Sequence, residues 1–248
     1  LILIAFAIAS QKAPPIVEEF PDTGEGEGEG DTHDIRRVLW RNKRYRYGVI
    51  AQFFNVAAQV CTWTYLIQYV GQALDGSLEL GGTYLQISLL VFLVSRFIMT
   101  WVIGRVRATK VLAVLAFAAV GLCVFAMSSP NIAGVIALVA VSFCLSLMFP
   151  TIYGVALKGL GPATKFGAAG LVMAIVGGAI MPLVQGALVD STSPAFSFVV
   201  PAVCFTVVGL YALYDLRAGP SVRGGQVARD DGGPARPAGT ARPAGGVA

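Results

Sequence analysis

Charge is what this sequence has least of. Asp, Glu, Lys and Arg together make up 13% of its 248 residues, where a soluble domain carries about 25%. That is too little to coat a globule of this size with water-binding groups, which argues against a soluble single-domain enzyme. Histidine is nearly missing. The one His, His33, lies in an acidic stretch outside every apolar run. This removes Ser–His and Cys–His catalysis, and His-ligated metal, from the apolar segments. The four cysteines, Cys61, Cys123, Cys144 and Cys204, have no C-x-x-C spacing and no nearby His. Neither a disulfide framework nor a zinc site is expected of them, and they read as small apolar residues. No catalytic residue, cofactor or metal is expected.

Apolar residues, by contrast, make up 56% of the chain, with a mean hydropathy of +0.71. Six long apolar stretches stand at 47–71, 82–104, 109–127, 131–156, 165–189 and 195–216. Each is long enough to cross hydrocarbon as a helix. The runs are continuous and not alternating, which disfavours strands. The expected fold is an all-α polytopic membrane bundle of six transmembrane helices, plus the end of a preceding helix. That end is LILIAFAIAS at 1–10, about half the length a span needs. It has no positive leader region and no cleavage pattern. It reads as the cut end of a longer helix, so the expected function belongs to a longer polypeptide.

Between these segments the composition changes sharply. Residues 11–46 form a linker, first acidic and then basic. Its run from Gly24 to Asp31 alternates Gly with Glu. Such a run buries nothing and repels itself, as a tether does, and it lacks the ligand offsets of a calcium loop. Arg36, Arg37, Arg41, Lys43, Arg44 and Arg46 follow, interleaved with Leu39, Trp40 and Tyr45. Placed just before a span, they read as an interfacial segment in contact with membrane lipid, not as a nucleic-acid patch. Residues 47–217 are the bundle, and 218–248, rich in Gly, Pro, Ala and Arg, a disordered tail. Alternate loops carry Arg105, Arg107, Lys158 and Lys165, whereas the others carry Asp75, Glu79 and Asp190. The positive-inside rule therefore places linker, basic loops and tail in the cytoplasm, as in a multi-pass membrane protein.

Few polar groups lie inside the spans. In the first, Gln52, Asn55, Gln59, Thr62, Trp63 and Tyr69 fall on one side at 100° per residue. Carboxamides donate and accept, and an indole stacks on C–H faces, which suits a neutral polyhydroxylated solute. The same stripe also suits interhelical hydrogen bonding. Arg96 faces either a water-filled cavity or, by snorkelling, the headgroups. Ser142, Ser146 and Tyr153 share a face of the fourth span, where Pro150 marks either a gating hinge or a static kink. Gly177-Gly178, followed by Pro182, marks either a hinge or close packing in the fifth.

These runs resemble a known group. The stretch YGVIAQFFNVAAQ at 47–59, continuing through Trp63 to Ile67, is similar to helix 7 of the L-fucose permease family, the fucose–galactose–glucose:proton symporters of the major facilitator superfamily. Ser95-Arg96-Phe97 with Thr100-Trp101 and Lys110-Val111-Leu112 resembles helix 8 and the loop after it. Phe149 to Tyr153 with Leu157 to Gly161 resembles helix 10, and Thr164 to Gly167 with Gly177-Gly178 and Asp190 resembles helix 11. The acidic position usual in the 8–9 loop is missing from Gly104 to Ala108.

The resemblance covers about 36–216. It implies the carboxy-terminal half of a transporter, with a missing amino-terminal six-helix half that holds the proton-coupling carboxylates. It implies a sugar and protons as transported partners, L-fucose or a related monosaccharide as the solute, and no enzyme activity. Gln52, Asn55, Gln59, Trp63, Arg96 and Tyr153 are then the expected sugar contacts, and Pro150, Gly177 and Gly178 the hinges. Other readings are half of a transporter for a different neutral solute or a drug, a six-helix unit that dimerises, and a non-transporting membrane scaffold.

Overall fold

Backbone N–H and C=O groups have no water to bond inside hydrocarbon, so a chain this apolar satisfies them along its own axis. The computed structural model, which describes residues 39–75, 78–103, 105–160 and 163–218, is built that way. All regular elements among the described residues are helical: α1 Lys43–Leu74, α2 Leu78–Ile103, α3 Ala108–Ser128, α4 Ile132–Leu157, α5 Thr164–Met173, α6 Gly177–Ser191 and α7 Val199–Arg217. Short 3₁₀ turns at Ala174–Val176 and Phe196–Phe198 lead into α6 and α7. The end of a preceding helix expected at 1–10, most of the linker and the tail beyond Ala218 lie outside the described residues, as does Gly104.

Helices stand at all six expected places. Five segments are long and apolar enough to cross a membrane: Glu79–Ile98, Ala108–Ser128, Ile132–Leu157, Thr164–Ser191 and Phe196–Arg217. The fourth of these is α5, the 3₁₀ turn and α6 in series. The remaining helix, α1, has length to spare, since 32 residues rise about 48 Å. Its polar stripe dilutes its apolarity. It also begins earlier than apolarity alone suggests. Asn42 caps it by accepting from the Arg44 and Tyr45 amides at 3.0 and 3.3 Å, which draws Lys43, Arg44 and Arg46 into the helix.

The connections are short, so neighbours in sequence run antiparallel. Helix α1 is the hub and packs on α2, α4, α6 and α7, while α3 lies in the angle between α4 and α7. The main core joins Ala51, Ala58 and Cys61 of α1, Leu112 and Ala116 of α3, Leu145 and Met148 of α4, and Phe205 and Val208 of α7. All four cysteines are free, buried and part of it. Helices α4 and α7 are mostly buried, whereas α2 and α5–α6 turn long rows such as Leu90, Leu93, Phe97 and Val172, Ile180, Leu183 outward. Outward faces this apolar need lipid or another helix surface against them.

Helix α1 grips the fifth span at three levels. Tyr45 Oη donates to the Gly167 carbonyl at 3.0 Å, and Tyr65 Oη donates to the Pro182 carbonyl at 2.7 Å. Between them Gly177 lies directly against the Phe53 carbonyl, where no Cβ fits. The regular ladder is interrupted at 174–176, immediately before the expected hinge residues Gly177 and Gly178.

Two glycine substitutions should separate these effects. Gly177→Ala pushes a Cβ into the Phe53 backbone and should cost about 1–3 kcal/mol, as overpacking does. Nothing lies within 4 Å of a Cβ placed on Gly121 of α3, so Gly121→Ala should gain up to about 1 kcal/mol of helix preference. Thermal melting in detergent measures both. Equal melting temperatures would mean that α1 and α6 do not touch at Gly177.

Candidate functional site

The polar stripe of α1 divides into two parts. Thr62 and Tyr69 are taken up by structure. Thr62 Oγ1 donates to Ala58 O of its own helix at 2.7 Å. Tyr69 Oη donates to Ala126 O at 2.7 Å, with Ser129 O at 3.2 Å, and so closes the α3–α4 corner onto α1. The other part is Gln52, Asn55, Gln59 and Trp63.

Gln52 and Asn55 are fully buried, and neither the nitrogen nor the oxygen of either carboxamide has a hydrogen-bond partner in the protein. They share a flank of α1 with Gly48, whose missing Cβ faces Ala156 of α4. One further contact sets the register of this antiparallel pair: Trp63 Nε1 donates to Ser142 Oγ of α4 at 3.1 Å. Gln52 and Asn55 therefore lie level with Phe149 to Tyr153. Thr151, also buried, has a hydroxyl without a partner. Tyr153 is half-buried and stacks on Phe149, with centroids 6.3 Å apart and an 11° interplanar angle. Pro150, between them, is exposed, and α4 continues through it as a helix.

Trp63 and Gln59 are half-buried. Trp63 meets Phe92 of α2 edge to face, centroids 5.1 Å apart and planes at 87°. Ser142, which takes its indole proton, also bonds Ser88 of α2. One tryptophan thus ties α1, α2 and α4 at a single level. Arg96 is exposed on α2, four residues after Phe92 and so on the same helical side.

The expected sugar contacts thus follow the α1–α4 seam: Gln52 and Asn55 level with Tyr153, Trp63 level with Phe92 of α2, and Gln59 between, with Arg96 a helix turn from Phe92 toward the Gln59 level. Chemically the seam offers neutral donors and acceptors and aromatic rings. Among the described residues no group of three or more His, Cys, Asp or Glu is placed to hold a metal ion.

Sequence reasoning missed a third polar cluster. Asp215 of α7 is 1% exposed, lies 2.7 Å from Arg44 Nε, and accepts from Thr109 Oγ1 at 2.9 Å. Arg44 meets it by charge and proximity more than as an aligned hydrogen bond. The available signal was an Asp just inside the apolar run 195–216, where the three residues before it are Ala, Leu and Tyr. Thr109 follows the loop that lacks an acid, so a carboxylate from the last helix stands beside that loop.

The geometry describes a bundle of membrane-type helices with a polar seam between α1 and α4. Comparison with known proteins agrees. No protein-family model matches the chain. It is 39% identical to an L-fucose-proton symporter of Haemophilus influenzae, over 70% of this chain and 42% of that protein. It is 32% identical to the L-fucose-proton symporter of Escherichia coli, over 86% and 49%, and 30% identical to a glucose/galactose transporter of Brucella abortus, over 86% and 50%. Among solved structures, a single-substitution variant of the E. coli fucose:proton symporter FucP superposes with a TM-score of 0.74 at 33% identity, covering 86% of this chain and 52% of that one. FucP in its outward conformation gives 0.71 at 32% identity, over 86% and 51%. The chain's relatives are thus L-fucose-proton symporters and glucose/galactose transporters, its solved structural neighbour FucP is a major facilitator superfamily transporter, and the chain spans about half the length of the curated relatives it matches.

The unpaired carboxamides make a test of packing against binding. A buried polar group without a partner costs about 1–3 kcal/mol. Gln52→Met and Asn55→Leu should therefore hold or raise the melting temperature in detergent. Tyr69→Phe, which removes a made bond, should lower stability by about 1 kcal/mol. If the two carboxamide variants melt well below the parent, the amides have protein partners after all.

Proposed function

We propose that the chain is the carboxy-terminal half of a proton-coupled monosaccharide symporter, for L-fucose or a related sugar, and that it transports and does not catalyse. The observation that carries this reading is the likeness to L-fucose-proton symporters over 86% of the chain, at 32% identity and with a shared helix arrangement. The seam suits such a solute. Sugar hydroxyls need donors and acceptors, which Gln52, Asn55 and Gln59 supply, and the C–H faces of the ring need an aromatic surface, which Trp63 and Tyr153 supply. Arg96 adds a donor for a hydroxyl from the α2 side. Alternating access then arises as one half rocks against the other around a site near the bilayer midplane. The stretch at Pro150 and the break before Gly177-Gly178 are the proposed places of bending.

The acids between 47 and 217 are Asp75, Glu79, Asp190 and Asp215, all at or near helix ends. The resemblance implies that the coupling carboxylates lie in the other half, and these positions agree with it. In this reading the basic helix ends face the cytoplasm of a bacterial cell, and the chain lies in the inner membrane with lipid against its outward rows. One observation favours a neighbouring substrate: a relative 30% identical is a glucose/galactose transporter.

Uptake of labelled L-fucose, galactose and glucose by cells making the full-length protein tests the reading. Accumulation of one of them should require an inward proton gradient and collapse with an uncoupler. Asn55→Ala and Gln59→Ala should each lower uptake or apparent affinity about tenfold, the worth of one hydroxyl contact near 1.4 kcal/mol. No accumulation of any sugar, or unchanged uptake in both variants, would overturn it and return the chain to the scaffold or the other-solute reading.

A further inference from the structure

Arg44 and Asp215 each sit at the wrong end of their own helix. Arg44 lies in the first turn of α1, where the aligned peptide dipoles already present positive charge, and Asp215 lies in the last turns of α7, at the negative end. Neither placement is favoured locally, so tertiary structure must explain both. The explanation is visible. The Asp215 carboxylate is withdrawn from water and lies at the positive ends of two other helices, α1 through Arg44 and α3 through Thr109. Tyr211, one turn earlier on α7, is also buried, and its hydroxyl lies against Gly48 of α1 beside Ala156 of α4. Three helices that are far apart in sequence thus end on one buried anion.

The three helices differ in kind. Helix α1 carries Gln52, Asn55, Gln59 and Trp63. Helices α3 and α7 carry none of the candidate contacts and pack extensively on each other. The cluster joins the helix of the site to the frame behind it, at the end remote from the Tyr69 anchor.

We propose that Asp215 is a positioning residue of the transport cycle, which with Arg44 and Thr109 clasps the entry of α1 to α3 and α7 so that the site-bearing helix moves with the frame as one body. The proposal rests on the transport reading above. It assigns Asp215 to the speed of the cycle and not to sugar contact, since it is Tyr211, a helix turn before Asp215, that reaches Gly48, and Gln52 and Asn55 lie further still along the bundle.

The test uses the full-length protein reconstituted in phosphatidylethanolamine/phosphatidylglycerol vesicles, with Asp215→Asn, Arg44→Gln and the exchanged pair R44D/D215R. The single variants should lower the maximal rate of proton-driven L-fucose uptake about tenfold or more while leaving the equilibrium affinity for L-fucose within about twofold. The exchanged pair should recover most of the rate, as a directly coupled pair does. Amide hydrogen exchange over residues 43–50 should be faster in the single variants and slow again in the exchanged pair. If the parent moves no sugar, the transport reading fails, and the exchange experiment alone decides the clasp. Should Asp215→Asn not fold, Thr109→Val carries the same measurements, because it keeps the side chain's shape and removes the hydroxyl that donates to Asp215. Unchanged exchange over 43–50, affinity falling in parallel with rate, or an exchanged pair no better than the single variants would each overturn the proposal.

Discussion

A polar group inside hydrocarbon has no water to fall back on, and the rest of this bundle follows from how α1 meets that constraint. It is the most polar of the spanning helices and also the hub on which four others pack. Thr62 bonds its own backbone, Tyr45, Tyr65 and Tyr69 reach carbonyls on neighbouring helices, and Trp63 donates to a serine. Of its fully buried side chains, the carboxamides of Gln52 and Asn55 are left without protein partners. In a membrane such bonds are individually small, about 0.6 kcal/mol on average, against the dispersion gained by several packed helix faces. Their contribution lies in direction. A hydroxyl bonded to one named carbonyl fixes rotation and register, which apolar packing against lipid-like side chains leaves loose.

Much of the fold was legible because apolar length is a strong signal. Each of the six stretches found its helix, since a continuous run of about twenty apolar residues has one favourable conformation in a bilayer. Helix ends were less legible. Apolarity set the start of α1 at 47, but a side-chain cap at Asn42 set it four residues earlier. The break in the fifth span was legible within a residue or two, because Gly177-Gly178 signals close approach. The 3₁₀ turn falls just before them, where α1 presses on the helix.

The site was legible by type more than by use. Counting polar residues on one face found Gln52, Asn55, Gln59 and Trp63. The same count included Thr62 and Tyr69, which the structure commits to Ala58, Ala126 and Ser129. Those acceptors are backbone carbonyls, and nothing in their side chains announces them. The Arg44–Asp215–Thr109 cluster was harder still. Its members are separated by up to 171 positions, and each lies near a span end, where a charge or hydroxyl is ordinary. Only the meeting of three helix ends shows that they belong together.

The placing of the four cysteines has a practical side. All lie in the seams where α1, α3, α4 and α7 interlock, away from the outward rows of α2 and α5–α6. A water-borne maleimide therefore meets a polypeptide that is chemically silent. A single thiol introduced on an exposed face can then carry a fluorophore or spin probe without first stripping out the native ones.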